Sequence, residues 1–358
     1  MFSRSKGVAD LEKSIRQIAV ENNWDVHKPL PTTRELGERY GISNASVCRL
    51  LMRLYEGKTI WRRDNGRYYL NDSRRLFERL KPYVCLLRKL QTWSRIYQGI
   101  MGGFSQAFGR NKAAMLFVHN ETLVRYTDTA HPPVHADAAT QHESLAELFR
   151  DHENQFSGIL LNDVWLDEVL EKFFPQLTNA VIVCRPSTLP GLSSVSADYD
   201  ASALMAIGHL YARGYEEIWL AVPFASSAPV DLMTDAAAQS AEKLGKPIDS
   251  ANICSVATPE DREGFLAKLK SAQKRVGVFC IEDNMALILW RSFARAGIEC
   301  PAQVGLLSGM GTGIVTDHQI SSLQINYERV GRTAGEILAA REQRVVTLPT
   351  QLSLGITT

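Results

Sequence analysis

From Tyr83 onward the chain sets short apolar runs at regular intervals, separated by stretches of helical spacing, and this alternation restricts the fold more than any other feature. The runs are Tyr83–Leu87, Ala113–Val118, Gly158–Leu161, Ala180–Cys184, Glu217–Val222, Ile253–Val256, Val276–Ile281 and Val304–Leu307. Between them lie candidate helices such as Ile96–Phe108, Leu145–His152, Leu166–Phe174, Ala201–Arg213, Asp231–Leu244, Arg262–Ser271 and Asn284–Ala296, with Val330–Ala340 after the last run. Strands that alternate with helices of this length form parallel sheets covered on both faces, an α/β fold. There are more runs than one tidy sheet takes, so the pattern predicts two lobes with a cleft between them. In such sheets ligands bind beyond the carboxyl ends of the strands.

The first 70 residues follow a different rule. Thr32 and Glu35 have the spacing of a capping box that opens a short helix ending at Gly41. Ser43 can cap the next helix, where Val47, Leu50, Leu51 and Leu54 share one face. Upstream, Leu11, Ile15, Ile18 and Ala19 give a first helix an apolar side. Ile60-Trp61 and Tyr68-Tyr69-Leu70 flank Asn65-Gly66, read as a two-residue hairpin turn. Three helices and a hairpin in this order have the layout of a winged helix-turn-helix, which places a helix in a DNA groove.

Charge divides the chain at the same place. Residues 1–82 hold 17 Lys/Arg against 10 Asp/Glu, whereas the remainder holds 23 against 29. A basic head suits phosphates, and an acidic body does not. With 45% hydrophobic residues the 358-residue chain can bury a large core. No apolar run reaches the ~18 residues of a membrane span, and the N-terminus lacks the apolar core of a signal peptide. The six cysteines are scattered without metal spacing. These features predict a cytoplasmic protein with no cofactor, no structural metal and no membrane partner.

Ala201–Leu210 followed by Gly214-Tyr215-Glu216-Glu217-Ile218 resembles the helix-to-strand signature of the LacI/GalR regulators. So do Val278–Ala286, Ala296-Gly297-Ile298-Glu299-Cys300-Pro301, Ser321-Ser322-Leu323 and Gly331-Arg332-Thr333-Ala334. Together they span about residues 83–358 and resemble the periplasmic-binding-protein-like effector domain. The head, by contrast, resembles the GntR winged helix in its LPTTREL, GISNASV and NGRYYL segments. The combination resembles a hybrid class of sugar-responsive repressors. It implies a winged helix-turn-helix over 1–72, a linker over 73–82 and an effector-binding, dimerising body over 83–358. The body's lobes would be 83–197 with 324–348, and 198–323 with 349–358, the chain crossing between them three times.

The resemblance places the helix from Ser43 in the major groove. Asn44 and Ser46 would face base edges and Arg49 a base or a phosphate; Asn pairs bidentately with adenine and Arg favours guanine. Arg34 matches a DNA-contacting position of the family, and Asn65, Gly66 and Arg67 form the wing tip. Thr32 is explained equally by capping and by a phosphate contact. Arg53, Arg62 and Arg63 are read equally as a solvated basic face or as phosphate contacts. GntR-type heads usually carry Arg where this chain has Asn44 and Cys48, so no family operator is inherited.

Effector candidates are the residues just past the strand ends: Trp93, Asp163, Arg185, Phe224 and Asp283, with Asn162 beside them. Trp93 is read equally as a lobe-packing residue, and Asp283 equally as a cap for the helix that follows it. LacI-type sugar binders usually have an Arg at the start of the helix near 231–244, where this chain has Asp231-Leu232-Met233-Thr234-Asp235. They also have an Asp just after the strand ending near Leu307-Ser308, where Met310 stands here. A hydroxyl-rich ligand needs such partners, because each unpaired buried polar group costs about 1–3 kcal/mol. The function expected from this reading is a homodimeric, ligand-responsive regulator of a double-stranded DNA operator. It would be a repressor released by a small molecule, a sugar by family resemblance. The alternative is a constitutive DNA-binding regulator whose body only dimerises. No phosphate-loop, nucleophile-elbow or zinc pattern supports an enzyme.

Overall fold

The computed structural model describes residues 6–20, 29–56, 59–62, 66–70, 82–88, 95–108, 115–120, 124–125, 134–152, 156–223 and 228–358. The chain divides into two compact units, residues 1–83 with 113–115, and residues 84–112 with 116–358. Asn65, Trp93, Phe224, the connector over 73–81 and the side chains of Ile18 and Ala19 lie outside the described residues.

The first unit is three helices and a hairpin: α1 (Lys6–Val20), α2 (Thr33–Tyr40), α3 (Asn44–Glu56), β1 (Ile60–Arg62) and β2 (Tyr68–Leu70). The Thr32–Glu35 capping box closes in both directions, and Gly41 ends α2 in the left-handed region at φ +62°. Ser43 caps α3 by accepting from the Ser46 amide at 3.3 Å. The apolar stripe of α3 packs on Leu11, Ile15, Leu30, Leu36, Ile60 and Leu70. Burying side chains of this size contributes roughly 1.5–3 kcal/mol each, which lets so small a unit hold a core. Arg53 of α3 is clamped to the mostly buried Glu12 of α1 at 2.5 Å.

The hairpin departs from the sequence reading. Ile60 pairs with Leu70, Trp61 with Tyr69 and Arg62 with Tyr68. That register is symmetric about position 65, so a two-residue turn over Asn65-Gly66 does not fit. The loop is longer, and Gly66 supplies a positive φ of +77° within it, as glycines do in longer hairpin loops.

The second unit carries two six-stranded sheets. One has the order β15-β9-β8-β7-β3-β4, with β3 at Tyr83–Arg88 and β4 at Met115–Asn120, and the other β11-β10-β12-β13-β14-β16; β5 (Val124–Arg125) and β6 (Val134–His135) pair antiparallel by themselves. In the first, β7 (Gly158–Leu161), β8 (Ala180–Val183), β9 (Ser193–Ala197) and β15 (Val345–Leu348) run parallel in sequence of pairing. In the second, β10 (Glu217–Val222), β11 (Ile253–Ser255), β12 (Val276–Cys280), β13 (Val304–Ser308) and β14 (Ser321–Gln324) are parallel, and β16 (Gln351–Ser353) joins antiparallel to β14. The chain passes between the sheets after Ala197, after Gln324 and between Leu348 and Gln351. Each sheet has its own core. Val84, Leu161, Trp165 and Ile182 belong to one, and Trp219, Val278, Phe293 and Leu306 to the other.

Four of these strands, β9, β14, β15 and β16, give no apolar run in the sequence. β9 reads Ser-Ser-Val-Ser-Ala and is buried throughout. Ser193 is accommodated by neighbouring backbone, its Oγ donating to Glu342 O and accepting from the Arg344 amide, whereas the buried Ser194 hydroxyl has no partner among the described residues. In β14 the Ser321 hydroxyl meets that of Thr358 at 2.7 Å and the Ser321 amide donates to Thr357 Oγ1. Polar strands can be buried when most of their polar groups find such partners.

In the first lobe, the helix Arg95–Ala107, here α4, lies against the helix Tyr327–Ala340, here α5. A Cβ on Gly103 would sit 1.8 Å from Glu328 O, and one on Gly331 would sit 1.8 Å from Ile100 O. The two glycines thus allow the helix backbones to touch, which explains Gly103 and the glycine of the Gly331-Arg332-Thr333-Ala334 segment.

Candidate functional site

The strand orders locate the site. In one sheet β3 (Tyr83–Arg88) lies between β4 (Met115–Asn120) and β7; in the other β10 lies between β11 and β12. At each of these points the connections leave in opposite directions, opening a crevice at the carboxyl ends. The residues that follow β7 are Asn162 and Asp163, and those that follow β12 include Glu282 and Asp283. Those that follow β3 and β10 include Trp93 and Phe224, outside the described residues.

Asp163 is 8% exposed. Tyr97 of α4 donates its hydroxyl to Asp163 Oδ1 at 3.2 Å and accepts from Asn162 Nδ2 at 3.3 Å. Among the described residues no other hydrogen bond reaches the Asp163 carboxylate, and the buried Asn162 Oδ1 has no partner. The β7 end therefore presents two oxygen acceptors with spare capacity.

Asp283 is arranged differently. It accepts from the Ser308 hydroxyl and the Thr312 amide, and from the Met310 and Gly311 amides at 3.3 and 3.1 Å. The helix Asp283–Ala296 is capped by Glu282, which accepts from the Asn284 and Met285 amides, so the sequence reading of Asp283 as that cap is corrected. Asp283 is the first helical residue and faces the other way, tying down the loop after β13. Burial and the neighbouring Asp283 push the Glu282 carboxyl up to about 6.

Arg185 follows β8 and is almost wholly buried. Its Nη2 donates to Trp165 O at 2.7 Å and to Asp167 Oδ1, and its Nη1 to Pro186 O at 3.0 Å. Burial opposes ionisation of Asp167, but hydrogen bonds from Arg185 and Thr188 outweigh it and keep that carboxyl below its ordinary value. The guanidinium thus holds its own loop together, and both terminal nitrogens are engaged.

Two phenols cross between the lobes. Tyr199, the first residue of the helix that follows the crossing from β9, donates to Cys184 O at 2.5 Å. Tyr327, at the start of α5, donates to Met310 O at 3.2 Å, with the Met310 sulfur 3.8 Å away. Burial pushes both phenols well above their ordinary pKa, reinforced by Cys184 and Asp163 for Tyr199 and by Cys184, Tyr199, Asp283 and Asp163 for Tyr327. They remain neutral donors. Sequence reasoning missed Tyr97, Tyr199 and Tyr327, since each opens or begins a helix and only the fold brings it to a strand end. Met310 is buried against Tyr327, and Asp231 sits exposed in the first turn of the helix Ala228–Lys243. Arg95 and Asp317 add an exposed ion pair between the lobes at 3.1 Å.

In the first unit, Asn44, Arg49 and Arg67 are exposed and Ser46 is half-buried. The hydroxyls of Ser43 and Ser46 lie 3.0 Å apart. Arg34 is exposed and paired with Glu38. Thr32 is engaged by Glu35 through its amide and hydroxyl. Arg62 donates to Gly66 O at 3.2 Å and lies over the Tyr68 ring. Glu35 is held below its ordinary value, first by its Thr32 hydrogen bonds and also by the charge of Arg67.

The geometry defines a two-lobed body of the periplasmic-binding-protein type. Residues 207–358 match the periplasmic binding protein-like domain family. The fold is shared with the transcription regulator CcpA of Lactococcus lactis (TM-score 0.62, 15% identity, 78% of this chain and 99% of that one). It is shared also with a LacI family transcriptional regulator from Enterococcus faecium solved with bound ribose (0.60, 15%, 78% and 98%). A third is a LacI family transcriptional regulator from Mycobacterium smegmatis (0.59, 16%, 77% and 98%). At such identities the likeness is one of fold. No curated protein matches the sequence. Among the described residues no helix is long and apolar enough to cross a membrane, and no cluster of three metal-ligating side chains occurs.

Proposed function

We propose that the protein is a ligand-responsive, DNA-binding transcription regulator that acts as a homodimer, with residues 1–72 as a winged helix-turn-helix head of GntR type. The observation that carries this reading is the pairing, in one chain, of a basic three-helix-and-hairpin unit with a body folded like LacI-type regulators. In the head, α3 is the recognition helix, with Asn44, Ser46 and Arg49 toward bases. Arg34, Arg67 and the wing about Asn65-Gly66 reach backbone or minor groove; Ser43 and Thr32, which cap their helices, are further phosphate contacts. In the body, an effector sits at the two strand-end crevices and changes lobe closure, as hinged lobes do. Asp163 offers a direct contact, Arg185 and Asp283 shape the site through the loops they hold, and Trp93 and Phe224 are further candidate contacts by their place in the sequence. Release of a repressor by a sugar is the family expectation; the ribose in the Enterococcus faecium relative belongs to that protein.

A second reading has its own support. Asp283 and Arg185 are engaged internally, Met310 stands where sugar binders use a carboxylate, and two phenols already join the lobes. A body closed by its own side chains would dimerise and bind no effector. One experiment separates the readings. Full-length protein is titrated onto a duplex obtained by binding-site selection, by fluorescence anisotropy at two salt concentrations, with and without compounds that raise its melting temperature in a metabolite screen. Regulation by an effector requires specific binding that falls steeply with salt and shifts by about 5- to 150-fold with a stabilising compound. Specific binding with no stabilising compound favours the constitutive reading, and binding of no specific duplex defeats both.

A further inference from the structure

The exposed face of α3 carries an unusual chemistry for a surface that meets DNA. Val47, Leu50, Leu51 and Leu54 are buried, and Asn44, Ala45, Cys48, Arg49, Met52 and Tyr55 are exposed. At about 100° per residue, Cys48 and Met52 fall at the centre of that face, between Asn44 on one side and Ala45 and Arg49 on the other. The later turns border the hairpin: Tyr68 donates to Met52 Sδ at 3.7 Å, and its ring lies edge-on to Tyr55 at 6.4 Å. Asn44, Ala45, Cys48 and Arg49 remain as the open surface of the first two turns. Among the described residues no hydrogen bond or ion pair engages the side chains of Asn44, Cys48 or Arg49, and the Cys48 thiol is free. Arg49 is the one cation on this open surface.

Each of these groups has a preferred base edge. Asn pairs bidentately with adenine N7 and N6, small apolar groups meet the thymine 5-methyl, and Arg takes guanine O6 and N7. A free Cys behaves as a small hydrophobe. Resting on the reading of this unit as a DNA-binding head, we infer that the helix reads an A·T-centred half-site. Asn44 pairs with adenine, Ala45 and Cys48 pack on thymine 5-methyl groups, and Arg49 takes a single guanine at one edge. The cations for phosphate then come from Arg34, Arg62 and Arg67 rather than from this face of the helix.

The test uses the full-length protein and binding-site selection from random duplexes. Affinity is then measured on the selected site with each thymine replaced in turn by deoxyuridine, which removes only the 5-methyl. The inference expects adjacent A·T positions beside one G·C pair, and a loss of about 4-fold at the thymines facing Ala45 and Cys48, the worth of one buried methyl group. Asn44→Ala should weaken binding by roughly 5- to 150-fold and flatten a single adenine position. Cys48→Arg, on an exposed site that tolerates it, should convert a thymine position to guanine. G·C pairs throughout the selected core, or deoxyuridine without effect at every thymine, would overturn the inference while leaving the DNA-binding reading standing. Absence of any specific duplex would overturn that reading and the inference together.

Discussion

Two carboxylates stand at matching places in the two lobes, each just past a strand beside a topological switch point, and they are used in opposite ways. Asp283 accepts four hydrogen bonds from one loop of its own lobe. Asp163 accepts one described hydrogen bond, from Tyr97, and lies beside an Asn162 oxygen with no partner. A carboxylate whose lone pairs are filled by backbone amides is a fastener; one with spare acceptor capacity in a crevice is a binding group. The comparison teaches that position at a strand end does not by itself make a ligand contact, because the following loop can claim the side chain first.

The largest effect should come from Asp283→Ala. It strands three backbone amides and the Ser308 hydroxyl, so chemical denaturation should show a loss of about 3 kcal/mol. A loss below about 1 kcal/mol would erase the contrast between the lobes. Next is Glu282, whose folded value of about 6 lies above its ordinary 4.5. The native chain then binds that proton more tightly than the unfolded chain, so this group's contribution declines as pH rises from about 4.5 through 6 and stays lost above it. Relative to Glu282→Gln, which keeps an oxygen for the cap, the wild type should lose about 2 kcal/mol between pH 4 and pH 7. Parallel pH profiles of the two proteins would remove Glu282 from the account. The smallest stability effect belongs to Asp163→Asn, at about 1 kcal/mol or less, with the melting shift from a stabilising compound abolished. If that shift survived intact while Asp283→Asn abolished it in a folded protein, the roles of the two carboxylates would have to be exchanged.

Much of the architecture was legible in the residues. The eight apolar runs each correspond to a strand, because parallel strands covered on both faces tend to read as continuous apolar runs. The helices were placed with their ends shifted by a few residues; Ala138–His152 begins seven residues before the expected Leu145, since its first turns lack a regular apolar stripe. β9 and β14 are not visible as apolar runs because they are serine-rich, and the partners that let Ser193 and Ser321 be buried come from segments distant in sequence, near Glu342 and Thr357. The two-residue hairpin turn failed for a related reason: Asn65-Gly66 suits a tight turn locally, but pairing of Ile60 with Leu70 sets the register.

By itself the sequence determined which segments fold and with what periodicity. Spacing of apolar residues, the Thr32–Glu35 box and the charge imbalance between head and body are all written along the chain and act over a few residues. The tertiary structure alone decided which polar groups are left over. Whether Asp163, Arg185 or Asp283 remains available depends on partners supplied by other elements: Tyr97 for the first, Trp165 O and Asp167 for the second, the loop 308–312 for the third. The physical reason is that hydrogen bonds satisfy groups by proximity in space, whereas a sequence orders them only by proximity along the chain.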